Sequence, residues 1–257
     1  MGITVLENTI KSATQNGRRS LIPYVMIGDG GLDNTMAMID LYVKSGASVL
    51  ELGLPFSDPV ADGATIQAAG KRALEENLTL DELLGFVGDV KRKHQVPVVL
   101  MTYLNPIINY GIERFVDSLK SNSVNGIIIP DLPLEEWDLL YPQLQDNKIA
   151  LVPLVTLTTN EERLQKMCNL ASGFIYTVSF NGVTGSKQAE ARDIADLVSK
   201  IKAQTEVPVI AGFGISYTAQ IQDFYRITDG VIVASELIRY AQLNEFEKIE
   251  QLIRSNS

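Results

Sequence analysis

The sequence predicts a single (β/α)8 TIM barrel spanning residues 1–257, with one extra helix at its N-terminus. Two observations carry this fold class. Apolar runs of strand length recur eight times along the chain, with amphipathic stretches of helical period between them. The runs are almost continuously hydrophobic rather than alternating, which marks parallel strands covered on both faces. No Gly/Ser linker or low-complexity segment breaks the rhythm, and 257 residues is an ordinary length for one such barrel. An open doubly wound sheet is the competing arrangement, but no long insertion or strand-order break favours it.

The elements follow in order. ITVLENTIKSATQ is amphipathic, precedes every strand and is expected to cap the bottom of the barrel. The strands are SLIPYVMI (20–27), SVLELGLP (48–55), VPVVLMTYL (96–104), NGIIIPDL (125–132), ALVPLVTL (150–157), GFIYTVSF (173–180), VPVIAGFG (207–214) and DGVIVAS (229–235). Between them, helices are expected over 32–47, 78–94, 134–147 and 160–171. Gly46 and Gly173 follow helical patterns as C-terminal glycines do. Asn160 opens NEER, with acids in the first turn, where the helix dipole favours them.

Composition narrows the function classes. The net charge is −9 and no block of Lys or Arg could track a phosphate backbone, which argues against nucleic acid. There is no signal-like apolar segment at the start, and no apolar run approaches the ~18 residues of a membrane span. Leu6 stands where a myristoylation motif wants Ser or Thr. A soluble cytoplasmic protein is therefore expected. The single cysteine, Cys168, excludes an intrachain disulfide and shares a helical face with Leu164, Met167 and Ala171, a core position. The single histidine, His94, ends a helix before the third strand, on the stability face. Imidazole-rich metal sites and a Ser-His nucleophile are thus disfavoured, no metal is expected, and strand interiors without lysine disfavour a Schiff base. Proton transfer falls to carboxylates, with tyrosine as a second source.

In a barrel of this type, chemistry sits where strands end and βα loops begin. Those ends carry Gly28-Asp29-Gly30, PFSDPVADG, Tyr103 and Asn105, Asp131, NGVTGSKQAEAR, Gly212-Phe213-Gly214 and Ala234-Ser235. Glu51 interrupts an apolar strand, where a charge facing the interior costs several kcal/mol unless solvated or paired. It reads either as an acid/base with a raised pKa or as a structural carboxylate. Asp58 and Asp62 precede Pro and Gly, and read in isolation they are turn residues. Short turns at Thr184-Gly185, Gly212-Phe213-Gly214-Ile215-Ser216 and Ala234-Ser235 fit an anion site of backbone N–H groups, although glycines also mark tight turns. The polar stretch NGVTGSKQAEA, in a loop over 181–193, reads as a mobile lid.

ELGLPFSDPVADG followed by ATIQAA resembles the signature of the tryptophan synthase alpha chain family. The resemblance extends through LIPYVMIGDG, VVLMTYLNPI, GIIIPDLPLEE, SFNGVTG and VIAGFGIS, nearly the whole chain. It implies a (β/α)8 carbon–carbon lyase of tryptophan biosynthesis that cleaves indole-3-glycerol phosphate to indole and glyceraldehyde 3-phosphate. By the same resemblance, Glu51 is the proton-shuttling acid and Asp62 orients the indole nitrogen. Gly185, Gly214, Ala234 and Ser235 hold the phosphate, while Tyr24, Tyr176 and Phe213 line the indole pocket. Pro55 and Asp58 match the loop that communicates with a partner, and Asn105 lies in a stretch that faces it. The implied partner is a beta chain in an alpha2-beta2 complex. That chain carries PLP and receives the indole, and no cofactor is expected in this one.

Some positions depart from the family pattern. Phe180 stands where many members carry Arg, Ala234 replaces a common Gly at the phosphate, and Gly30 and Leu157 replace frequent prolines. None touches Glu51 or Asp62. Two other readings compete with the partnered enzyme: a free-standing lyase with the same chemistry, and a non-catalytic subunit that senses a phosphorylated ligand. The presence of both acids opposes the second.

Overall fold

A computed structural model of the chain describes residues 2–178, 191–212 and 218–256. Among the described residues, nine parallel strands form one sheet: β1 Ser20–Met26, β2 Leu50–Gly53, β3 Val98–Met101, β4 Gly126–Ile128, β5 Ala150–Leu151, β6 Leu154–Thr156, β7 Ile175–Val178, β8 Val209–Gly212 and β9 Gly230–Val233. The helices are α1 Gly2–Gln15, α2 Leu32–Lys44, α3 Ala64–Glu75, α4 Leu80–Lys93, α5 Leu104–Tyr110 and α6 Ile112–Ser121. They continue as α7 Tyr141–Asp146, α8 Glu161–Leu170, α9 Ala191–Lys202, α10 Thr218–Tyr225, α11 Ser235–Gln242 and α12 Phe246–Arg254. No helix among the described residues is long and apolar enough to cross a membrane.

The strand order is β5-β4-β3-β2-β1-β9-β8-β7-β6, so the outermost strands are consecutive in the chain. This corrects the expected fifth strand, 150–157, which is two pieces rather than one. Pro153 has no N–H to donate, and the ladder breaks beside it. Val152 N–H still reaches Ile127 O at 2.9 Å on one side, and Pro153 O accepts from Tyr176 N–H at 3.0 Å on the other. One chain segment thus joins both edges and closes the TIM barrel.

Strand periodicity separates two apolar layers. Ile22, Tyr24, Met26, Val99, Met101, Ile128, Tyr176, Ile210 and Ile232 fill the barrel interior. Leu21, Val25, Leu50, Leu52, Leu100, Ile127, Val209 and Val231 pack outward beneath the helices. Two buried faces explain the near-continuous hydrophobic runs. From α1, Leu6 and Ile10 enter the inner layer and plug the bottom, as expected of the N-terminal helix.

Helix ends largely follow the expected punctuation. Gly46 and Gly173 take φ of 112° and 78°, and Asn160 accepts a hydrogen bond from Arg163 N–H as the N-cap of α8. The helix expected over 134–147 is broken instead. A 3-10 segment, Leu134–Leu139, is followed by Leu140 at φ −130° and then α7. Pro142 suits the first turn of a new helix but bars helical hydrogen bonding back through it. α3 departs from the outer ring. Ala69 and Ala73 join the interior cluster, and a Cβ at Gly70 would contact Met26 of β1. This small-residue face lets α3 lie across the top of the barrel.

Candidate active site

Leu50 and Leu52 belong to the outer layer, so the alternation of β2 turns Glu51 inward. The residue is 1% exposed, and its Oε2 has no hydrogen-bond partner among the described residues. Burial, followed by the charge of Asp62, raises its pKa to about 8. Asp62 lies in the loop between β2 and α3, is 9% exposed, and has an Oδ1 with no partner among the described residues. Burial lifts its pKa to about 6 against the opposing effect of a hydrogen bond from Tyr103. Asp62 therefore ionises first, and its charge then keeps the Glu51 proton in place.

Local bonds fix this loop. Asp62 N–H donates to Pro59 O at 3.1 Å, and Gln67 Nε2, from the first turn of α3, donates to Asp62 O at 2.9 Å. Ala61 N–H donates to Tyr103 Oη at 3.1 Å, which leaves the phenolic proton for Asp62. The Tyr103 ring also packs against Phe56, with centroids 5.2 Å apart. Tyr103 has a part here that the sequence reading did not assign. Its place at the end of the third strand was the available signal.

Two tyrosines complete the described walls. Tyr24 is the register partner of Glu51. A Cβ at Gly53 would overlap its hydroxyl, so the glycine lets the ring lie across β2. Tyr176 on β7 has the same relation to Gly212 on β8. Both phenols are buried, and burial together with the nearby acids holds their pKa values well above the ordinary range. The expected pocket residues Tyr24 and Tyr176 are thus brought to the two acids.

On the other side of β1, Pro23 pairs with Val233 just before Ala234, which places the β9–α11 turn level with Tyr24. Ala234 is the N-cap of α11 and makes no side-chain cap. The helix's first bond runs from Ile238 N–H to Ala234 O, so the N–H groups from Ser235 onward face out of its start. Thr184, Gly185, Phe213 and Gly214, and Phe180 with them, lie outside the described residues. Most of the expected lid also lies there, although α9 already begins at Ala191, inside the 181–193 range.

Pro55 is half-buried. Asp58 and Asn105 are exposed, the former bonded to Ser57 Oγ at 2.5 Å. In the same two segments of chain, the apolar side chains of Val60 and Ile108 are 81% and 51% exposed. His94 ends α4 with Nε2 2.8 Å from Asp40 Oδ1, and Cys168 is buried in the outer core, as expected of both.

Known proteins resemble this chain in sequence and fold. The tryptophan synthase alpha chain family model matches residues 10–256. The tryptophan synthase alpha chain of Bacillus cereus (strain ATCC 10987 / NRS 248) is 45% identical over 246 residues, covering 96% of this chain and 95% of the relative. Its Bacillus mycoides (strain KBAB4) counterpart is 46% identical with the same coverage. Among solved structures, tryptophan synthase from M. tuberculosis in its aminoacrylate-bound form matches with TM-score 0.86 at 29% identity, covering 97% of this chain and 96% of that one. Tryptophan synthase subunit alpha from Legionella pneumophila str. Paris matches with TM-score 0.86 at 32% identity, covering 97% and 95%. The chain belongs to the tryptophan synthase alpha chain family, lyases of tryptophan biosynthesis.

Proposed function

We propose that this chain, as one barrel domain, cleaves indole-3-glycerol phosphate by retro-aldol chemistry, with Glu51 moving protons and Asp62 holding the indole N–H. The observation that carries this reading is the pair of buried carboxyls, each with an oxygen left unpartnered in the same chamber. Such groups are destabilising unless a ligand completes them.

The chemistry requires two acids with separated pKa values. The C–C bond cannot break while the indole is aromatic, since no ring carbon can accept the bonding electrons. Protonation at C3 creates an iminium-like electron sink. Glu51, with its pKa near 8, is protonated at neutral pH and gives that proton. Its carboxylate then takes the proton of the glycerol hydroxyl as the bond breaks, restoring the indole and releasing the aldehyde. Asp62, ionised above about pH 6, accepts the indole N–H bond and stabilises the positive charge that develops there. Tyr24 and Tyr176 supply flat walls. Thr184, Gly185, Gly212, Phe213, Gly214, Ala234 and Ser235 bind the phosphate as a handle that keeps the glycerol chain in register.

The exposed apolar side chains of Val60 and Ile108, in the segments that hold Pro55, Asp58 and Asn105, support docking of a beta chain in an alpha2-beta2 complex. PLP belongs to that partner, with none in this chain, and the complex is placed in the cytoplasm. Indole release from indole-3-glycerol phosphate, measured with and without a beta chain, tests the proposal. Release that accelerates with the partner supports it; no release in either case overturns it.

A further inference from the structure

Arg72, in the last turn of α3, joins three elements above the barrel. Its Nε and Nη2 donate to Asp29 Oδ1 and Oδ2 at 2.6 and 2.7 Å, a bidentate pair with the loop after β1. The Gln242 amide, with its oxygen turned toward the guanidinium, accepts from Nη1 at 2.9 Å and also from Nη2. The cation therefore sits at the C-terminal ends of α3 and α11 together, where both helix dipoles favour it. Exposed ion pairs usually contribute little, but this one is bidentate, partly buried, and spans 43 residues of sequence.

The opposite ends of the two helices reach the site. α3 starts directly after Asp62-Gly63, and its first turn holds Asp62 O through Gln67. α11 starts at Ser235, beside the turn assigned to phosphate. Regular helices move as rods, so a shift at the shared end is felt at both starts. We propose that Arg72 is a positioning residue that sets Asp62 against the anion-binding start of α11. The inference rests on the roles proposed above for Asp62 and Ser235.

The test compares Arg72→Ala, Arg72→Lys and Gln242→Ala with the unmodified chain in the beta-chain complex. It measures kcat and KM for indole-3-glycerol phosphate and the inhibition constant of inorganic phosphate. Arg72→Ala is expected to lower kcat/KM at least tenfold through both a lower kcat and a higher KM, and to weaken phosphate inhibition. Arg72→Lys keeps the charge without the fork and should fall between. Gln242→Ala should raise KM and weaken phosphate inhibition while kcat holds.

An Arg72→Ala variant that is less heat-stable, yet has unchanged kcat, KM and phosphate inhibition, would overturn the proposal. If that variant does not fold, Gln242→Ala at an exposed position decides, and unchanged KM and phosphate inhibition there overturn it. If the unmodified chain fails to cleave the substrate, the proposed function falls. The clamp then stands or falls on phosphate binding alone.

Discussion

Asn125 and Glu51 are both polar residues buried at strands of one barrel, and the barrel treats them in opposite ways. Asn125, at the foot of β4, uses both its amide oxygen and its amide nitrogen. Its Oδ1 accepts from Val98 N–H at 2.9 Å and Lys91 Nζ at 3.1 Å, and its Nδ2 donates to Gly2 O at 3.2 Å. Those bonds tie α1, α4 and β3 together beneath the plug of Leu6 and Ile10. Glu51, at the top, keeps an oxygen without a partner and a pKa near 8. A satisfied buried polar group adds rigidity, whereas an unsatisfied one stores binding capacity at the expense of stability. The bottom of the barrel is therefore the region that holds, and the top is the region to which we assign the reaction.

Removing the reactive side of this contrast should have the largest effect. Glu51→Gln keeps shape and burial but cannot shuttle a proton. Indole release is expected to fall by ~10²–10⁴-fold or to vanish, with substrate-analogue binding largely retained. Asp62→Asn should reduce kcat by roughly a hundredfold or more, since it removes charge that acts in the transition state. Near-normal turnover in either variant would break the assignment of roles.

The supporting side should respond in stability alone. Asn125→Ala leaves Val98 N–H without its acceptor, at about 1–3 kcal/mol, and takes one of two acceptors from Lys91 Nζ, which keeps Val96 O at 2.8 Å, while kcat/KM of the folded fraction stays unchanged. Denaturant unfolding paired with steady-state kinetics reads both quantities. A loss of activity beyond the unfolded fraction would erase the distinction between the two ends.

A smaller effect sharpens the picture at the top. The proposed roles need Asp62 ionised and Glu51 protonated, so kcat/KM should form a bell with limbs near pH 6 and pH 8. Tyr103→Phe removes a donor that favours the ionised Asp62. Its acid limb should therefore move to higher pH, with a few-fold loss at neutrality. An unmoved limb would mean that Tyr103 only packs against Phe56.

What could be read from the sequence follows the same division. The barrel was legible because two apolar layers leave almost no polar residue within a strand, and for the same reason Glu51 stood out. Asp62 was not legible from the residues themselves. In one dimension an Asp before Gly is a turn residue, and only the resemblance separated it from Asp58. The split at Pro153 was hidden because an apolar run does not reveal which N–H groups the ladder uses. The break at Leu140 was hidden because amphipathic period survives an interruption of hydrogen bonding. Tyr103 and Arg72 depend on contacts 42 and 43 residues away, beyond the reach of any local pattern.

The central claim, that burial holds Glu51 protonated, has a direct thermodynamic consequence. A carboxyl whose pKa is raised from 4.5 to about 8 on folding binds more protons in the native than in the unfolded state across that interval. Stability must then fall as pH rises from about 4.5 to about 8. The loss is on the order of a few kcal/mol at most. Thermal unfolding of the unmodified chain and of Glu51→Gln, followed from pH 4 to pH 9, measures it. The account predicts that the difference between the two grows steadily above about pH 4.5, with the inactive variant gaining in relative stability until about pH 8. Parallel curves across the whole range would contradict it.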